Sequence, residues 1–105
     1  MQVGLLNAAT TQQVLEDIAG YIRKCDPNPA RWYAGITSSI DDRLFGAHCV
    51  VRETGIWIYR DASSASAARV AERALLDWGC SGGGGGGDDR CRYVYAYLKA
   101  TGTKP

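Results

Sequence analysis

At 105 residues the chain has room for one domain built on a single hydrophobic core, and not for two. Its apolar fraction of 46% and charged fraction of 22% are those of an ordinary soluble globular protein. A formal net charge of +1 does not announce a nucleic-acid binder, although nine arginines against three lysines supply the better bidentate phosphate ligand.

The opening MQVGLLNAATTQQ lacks the basic flank and apolar run of a secretory signal, and no stretch approaches the roughly 20 apolar residues of a bilayer span. The expected location is therefore the cytoplasm. Cys25, Cys49, Cys80 and Cys91 form no Cys-x-x-Cys pair and are expected as free thiols there.

Residues 1 to 9 are weakly patterned and predict a loosely docked terminus. Thr10 and Gln13 make a capping-box pair ahead of Val14, Leu15, Ile18 and Ile22, which predicts an amphipathic helix of about four turns. Asp26-Pro27-Asn28-Pro29 stops it. Trp32 to Thr37, aromatic and β-branched, reads as a strand. Ser38 and Ser39 then offer N-caps to a short helix with Asp41 and Asp42 in its first turn and Ile40, Leu44 and Ala47 on one face. Arg43 lies off that face, free to lean back towards the strand end.

Cys49 to Gly55 is a short apolar segment closing in a turn, and Ile56 to Tyr59 reads as a second strand. Ser63 to Trp78 predicts the strongest helix, stopped by Gly79, with Ala67, Val70, Ala71, Ala74, Leu75 and Trp78 as its buried stripe. Glu72 falls on the flank of that stripe, about 60° from Leu75 around the axis. Gly82 to Gly87 leaves a helix and enters a strand, so it reads as a connector with a reach of roughly 13 Å rather than a phosphate loop. In the last element, Arg92 to Leu98, Val94, Ala96 and Leu98 alternate with Tyr93, Tyr95 and Tyr97. The fold class is α+β in the order α-β-α-β-α-β, a single domain around a small antiparallel sheet of about three strands, with residues 80 to 91 as a glycine-rich loop.

Tyr33-Ala34-Gly35, with Arg43 ten residues after the tyrosine, Ile40 three before that arginine and His48 five after it, resembles the second half of a GIY-YIG domain, the fold of metal-dependent DNA-cutting nucleases. The likeness runs on through the Ile56 strand to the helix carrying Glu72, where the family keeps its metal-binding carboxylate, and covers roughly residues 31 to 79. The family's first strand is missing from its usual place. Gly20-Tyr21-Ile22 has the right separation from Tyr33 but lies in a helical pattern. The tyrosine-rich last strand is the better substitute, as in a circular permutation, and is expected beside Trp32–Thr37.

The resemblance implies that Glu72 holds one Mg²⁺ or Mn²⁺, that Arg43 binds phosphate, that Tyr33 and Tyr95 orient or deprotonate water, and that His48 assists proton transfer, with DNA as the partner. The family's asparagine downstream of the glutamate has no counterpart, since no Asn lies beyond position 28. The alternative is a non-catalytic module that binds nucleic acid or a protein partner. Each residue also has a plainer reading: Glu72 paired with Arg69 or Arg73, Arg43 answering Asp41 or Asp42, the tyrosines as a sheet face, and His48 packed at a helix end. A zinc set of His48, Cys49, Cys80 and Cys91, a cation at Asp88 and Asp89, and a Cys80–Cys91 disulfide are further possibilities on ligand type alone.

Overall fold

The computed structural model describes residues 2–83 and 88–105, with side chains from residue 11 onward. It is α+β. Helix α1 spans Gln2–Cys25, strand β1 Trp32–Thr37, a π-helical segment Asp41–Ala47, strand β2 Trp57–Asp61, helix α2 Ala65–Trp78 and strand β3 Tyr93–Leu98. The helix expected to start at Thr10 starts eight residues earlier: Leu5, Leu6, Ala8 and Ala9 are strong helix formers and no proline interrupts them, which outweighs Gly4. No capping box forms: Thr10 lies inside the helix, and Gln13 donates its amide to Asp17 Oδ1 at 2.8 Å. No helix among the described residues is long and apolar enough to cross a membrane.

The three strands form one sheet in the order β1-β3-β2, with β3 antiparallel to both neighbours. The last strand therefore lies beside β1, as expected, and Gly35 faces Tyr95 across the pair. Alternation gives the sheet two unlike faces. Trp32, Ala34, Ile36, Ile58, Val94 and Ala96 pack on Val14, Ile18 and Ile22 of α1 and on Ala68, Ala71 and Leu75 of α2. Tyr33, Trp57, Tyr95 and Tyr97 point the other way, beneath Ile40, Leu44, Phe45 and Val50.

Three local expectations shift. Strand β2 runs two residues past Tyr59 because β3 continues to offer partners, Val94 to Arg60 and Tyr93 to Asp61. The buried face of α2 is Ala68, Ala71, Glu72 and Leu75, while Val70 is 58% exposed and Trp78 37% exposed. Alanine at 68 and 71 lets the helix settle close on the sheet, and that closeness decides which face goes in; Trp78 turns out to meet the Arg23 guanidinium at 5.8 Å. In the 41–47 segment the His48 amide donates to Arg43 O at 2.9 Å, five residues back. That wide winding turns Ala47 out and brings Phe45 in against Trp57, with ring centroids 5.0 Å apart.

Helix α2 starts at a Ser64 cap, whose hydroxyl accepts from Ala67 N at 3.1 Å, and ends at Gly79, whose φ of +130° suits glycine. The chain then runs parallel to β1, with Ala34 N donating to Ser81 O and Ser81 N to Trp32 O, both at 2.8 Å. A side chain at Gly82 would lie 2.6 Å from the Ala34 carbonyl oxygen, so only glycine allows this approach. The connector expected at Gly82 to Gly87 falls mainly on residues 84–87, which lie outside the described residues.

Candidate active site on the tyrosine face

Gly35 creates the space around which the tyrosine face is organised. Facing Tyr95 in the ladder, it lets that ring lie flat across β1. Tyr95 is 2% exposed, and its hydroxyl meets His48 Nε2 at 2.7 Å. Tyr33 stacks over the group, with centroids 5.5 Å from Tyr97, 6.5 Å from Tyr95 and 4.7 Å from His48. The Tyr97 hydroxyl donates to Lys104 O at 3.0 Å, and His48 Nδ1 lies 2.6 Å from the same carbonyl. Stacked and tilted rings in this range contribute beyond their buried area, about 0.5–1.5 kcal/mol per pair.

Arg43 and Glu72 complete the group by charge. The Tyr95 hydroxyl is held well above the ordinary tyrosine range, first by burial and then by Tyr33; the Arg43 guanidinium opposes this, and Tyr97 and the Glu72 carboxylate add to it. Burial, with a smaller contribution from Tyr33, pushes Tyr97 up to about 12. Burial pulls His48 below its usual value, against the Lys104 carbonyl bond and with Arg43. Glu72, 7% exposed, is raised by burial, which the Arg69 charge resists. Tyr33, His48, Tyr95 and Tyr97 thus form one bonded and stacked group, and the Arg43 and Glu72 charges lie near enough to bear on its Tyr95 hydroxyl.

The plainer readings fare unevenly. Asp41 pairs with Arg52 at 2.7 Å and Arg73 with Asp77 at 3.9 Å, and the salt bridges among the described residues do not include Arg43. Arg43 is exposed, so its guanidinium can reach a ligand. His48 is indeed packed at a helix end, yet both ring nitrogens are engaged. Tyr97 and Lys104 are members that sequence reasoning missed. Tyr97 was visible in the tyrosine row, while nothing in the side-chain pattern signals a contribution from the Lys104 backbone.

The zinc set does not form. Among the described residues no three His, Cys, Asp or Glu side chains gather as a metal site, and His48 is committed to Tyr95 and Lys104. The cysteines are unpaired; Cys80 is buried and pushed up to about 11, which makes it a poor nucleophile at neutral pH. Asp88 receives the Arg90 amide at 2.9 Å and its guanidinium at 3.1 Å. Glu72 is the buried carboxylate whose charge bears on the Tyr95 hydroxyl. A single carboxylate offers one hard oxygen donor, too few for a structural zinc or calcium site and compatible in ligand type with Mg²⁺.

The sign of the His48 shift makes a prediction. Above pH 6.5 the ring is neutral both folded and unfolded; as pH falls below 6.5, the unfolded chain takes up its proton first, so stability declines until the folded ring titrates. With a single histidine in the chain, its ring resonances followed by NMR are expected to titrate with a midpoint below 6.5. A midpoint above that value contradicts the buried arrangement.

Fold and site together define a small α+β protein with phenol and imidazole groups bonded and stacked on one sheet face, an exposed arginine on the segment that covers that face, and a buried carboxylate on helix α2. No family model, curated protein or solved structure matches the chain.

Proposed function

We propose that the chain is a metal-dependent phosphodiesterase acting on DNA in the cytoplasm, of the GIY-YIG nuclease type with a permuted strand order. The observation that carries this reading is the buried Tyr95 hydroxyl, bonded to His48 Nε2 at 2.7 Å with its ring stacked against Tyr33; the Arg43 and Glu72 charges that bear on it support the same reading. Phosphodiester hydrolysis needs an oriented water, a countercharge for the phosphoryl oxygens and a path for a proton. Arg43, exposed and outside the salt bridges, grips phosphate with two parallel N–H donors. Glu72 holds the cation; Mg²⁺, when bound, supplies Lewis-acid stabilisation of the phosphoryl oxygens. Tyr33 is half-buried, with its hydroxyl beside Gly83, and orients the attacking water from the rim. Tyr95 stays protonated, with His48 as its acceptor, and passes a proton rather than acting as a phenolate.

Nicking of supercoiled plasmid with Mg²⁺ or Mn²⁺ tests the reading. Glu72→Ala and Arg43→Ala are each expected to lower the rate by roughly 10²-fold or more, and Arg43→Lys is expected not to restore it. A second reading, a binding module without catalysis, is supported by arginines laid on half-buried aromatics: Arg52 over Phe45 at 4.0 Å, and Arg92 over Tyr93 at 5.3 Å beside Tyr59, which is 41% exposed. Salt-sensitive DNA binding with no nicking in either metal sinks the enzyme and favours the module.

A further inference from the structure

The chain beyond β3 closes a hook. Lys99 N donates to Arg31 O at 2.9 Å; Gly102 takes a φ of +98°, and Thr103 seals the turn by donating its amide to Ala100 O at 3.0 Å and accepting the Ala100 amide on Oγ1 at 3.0 Å. The returning chain lands on His48. Lys104 N donates to His48 O at 2.8 Å, and Lys104 O lies 2.6 Å from His48 Nδ1.

A carbonyl oxygen has no proton to give, so at that distance Nδ1 must carry the hydrogen. A neutral imidazole has only one N–H, and which nitrogen bears it is set by the bond the other makes. Nε2 is then a bare lone pair, and the Tyr95 hydroxyl 2.7 Å away must donate to it. Tyr97 fits the same assignment: its hydroxyl donates to Lys104 O at 3.0 Å, and its oxygen lies 3.2 Å from Nδ1, where it can share that proton. For the neutral ring, this is the assignment that satisfies both nitrogens and both hydroxyls.

We propose that the Ala100–Lys104 hook is a positioning element: the Lys104 backbone carbonyl fixes His48 in the Nδ1–H form and thereby sets the direction of the Tyr95-to-His48 hydrogen bond. Its catalytic consequence rests on the phosphodiesterase reading; the assignment of the proton does not. Without the hook, Nδ1 loses its short acceptor and keeps only the Tyr97 oxygen at 3.2 Å, so the preference for Nδ1–H weakens and the proton becomes free to move to Nε2, which then donates to the Tyr95 oxygen. The bond is kept, its polarity reverses, and Tyr95 can no longer pass a proton inward.

Because the chain has one histidine, a two-bond ¹H–¹⁵N correlation spectrum of the intact protein at pH 8 reports this ring alone. The expected pattern is a protonated Nδ1 and a bare Nε2. Deleting residues 103–105 is expected to convert it to a mixed or Nε2–H pattern while the amide signals of the sheet persist. Gly102→Val, which opens the same turn without shortening the chain, is expected to do likewise. An Nε2–H pattern in the intact protein overturns the proposal even if a variant fails to fold, and so does an unchanged Nδ1–H pattern in a folded variant. A chain that nicks no DNA yet shows bare Nε2 loses the phosphodiesterase reading alone. If it does nick, the deletion lowers kcat and leaves the KM for DNA in place, which loss of the DNA-binding surface would not do.

Discussion

Gly35→Ala is expected to destabilise the protein by roughly 2–5 kcal/mol, a fall of at least ~10 °C in Tm for a domain of this size. The new Cβ would stand 2.6 Å from the Tyr95 hydroxyl oxygen and 2.8 Å from the ring carbon that bears it. Tyr95 has no room to give way, since it is 2% exposed in a cluster with fully buried Leu44 and its hydroxyl is bonded to His48. Overpacking of a filled core costs about 1–3 kcal/mol, and parting a buried donor from its acceptor about as much again. Gly20→Ala is the control: an added methyl there meets nothing within 4 Å, and the same chemical change inside α1 is expected to stabilise by about 0.5–1 kcal/mol. Thermal melts of the two variants settle the matter, and a Gly35→Ala protein that melts with the parent would mean Tyr95 does not lie across β1.

Glu72→Gln is expected to abolish metal-dependent nicking and yet to raise the melting temperature. Burial lifts the folded-state pKa of Glu72 above the ordinary 4.5. As pH climbs past 4.5 the unfolded chain therefore ionises first, and stability is lost until the folded carboxyl ionises too. At neutral pH the parent carries a charge its surroundings disfavour, only partly compensated by Arg69. Glutamine keeps the shape and drops the charge, a change of the kind worth roughly 0.5–2 kcal/mol, or several degrees. The advantage should vanish below pH 4.5, where parent and variant are both neutral. Millimolar Mg²⁺ should raise the Tm of the parent and not of the variant, by linkage to binding in the folded state. A variant less stable than the parent at pH 7 would show Glu72 to be a structural ion-pair partner instead.

Much of this molecule could be read from residue order alone, for identifiable reasons. Prolines 27 and 29 stop α1 wherever it begins, and the unbroken alternation from Tyr93 to Leu98 leaves β3 only one way to face. Tyr33, Arg43, His48 and Glu72 were singled out by spacing and Tyr95 by an orphan strand that needed a place; of these, Tyr33, His48 and Tyr95 meet in one cluster. What escaped depends on distances rather than periodicity. The inward turn of Glu72 follows from Ala68 and Ala71 being small enough to approach the sheet, and small buried residues look like surface ones in a hydropathy pattern. The π winding at 41–47 has no compositional sign at all. Nor does a main-chain carbonyl that meets a histidine 56 positions away.

The parallel stub at Ser81 bears on how the protein behaves in company. A three-stranded sheet has two rims, and bare rims recruit strands from neighbouring molecules. Here the β1 rim is already occupied over Trp32 to Ala34. The β2 rim carries Arg60, tied to Asp17 at 2.9 Å and to the Tyr59 carbonyl at 2.8 Å, and then Asp61, so a guest strand would have to strip away charge to dock. A rim covered over Trp32 to Ala34 on one side and a charged rim on the other are expected to disfavour sheets of neighbouring molecules growing into one another.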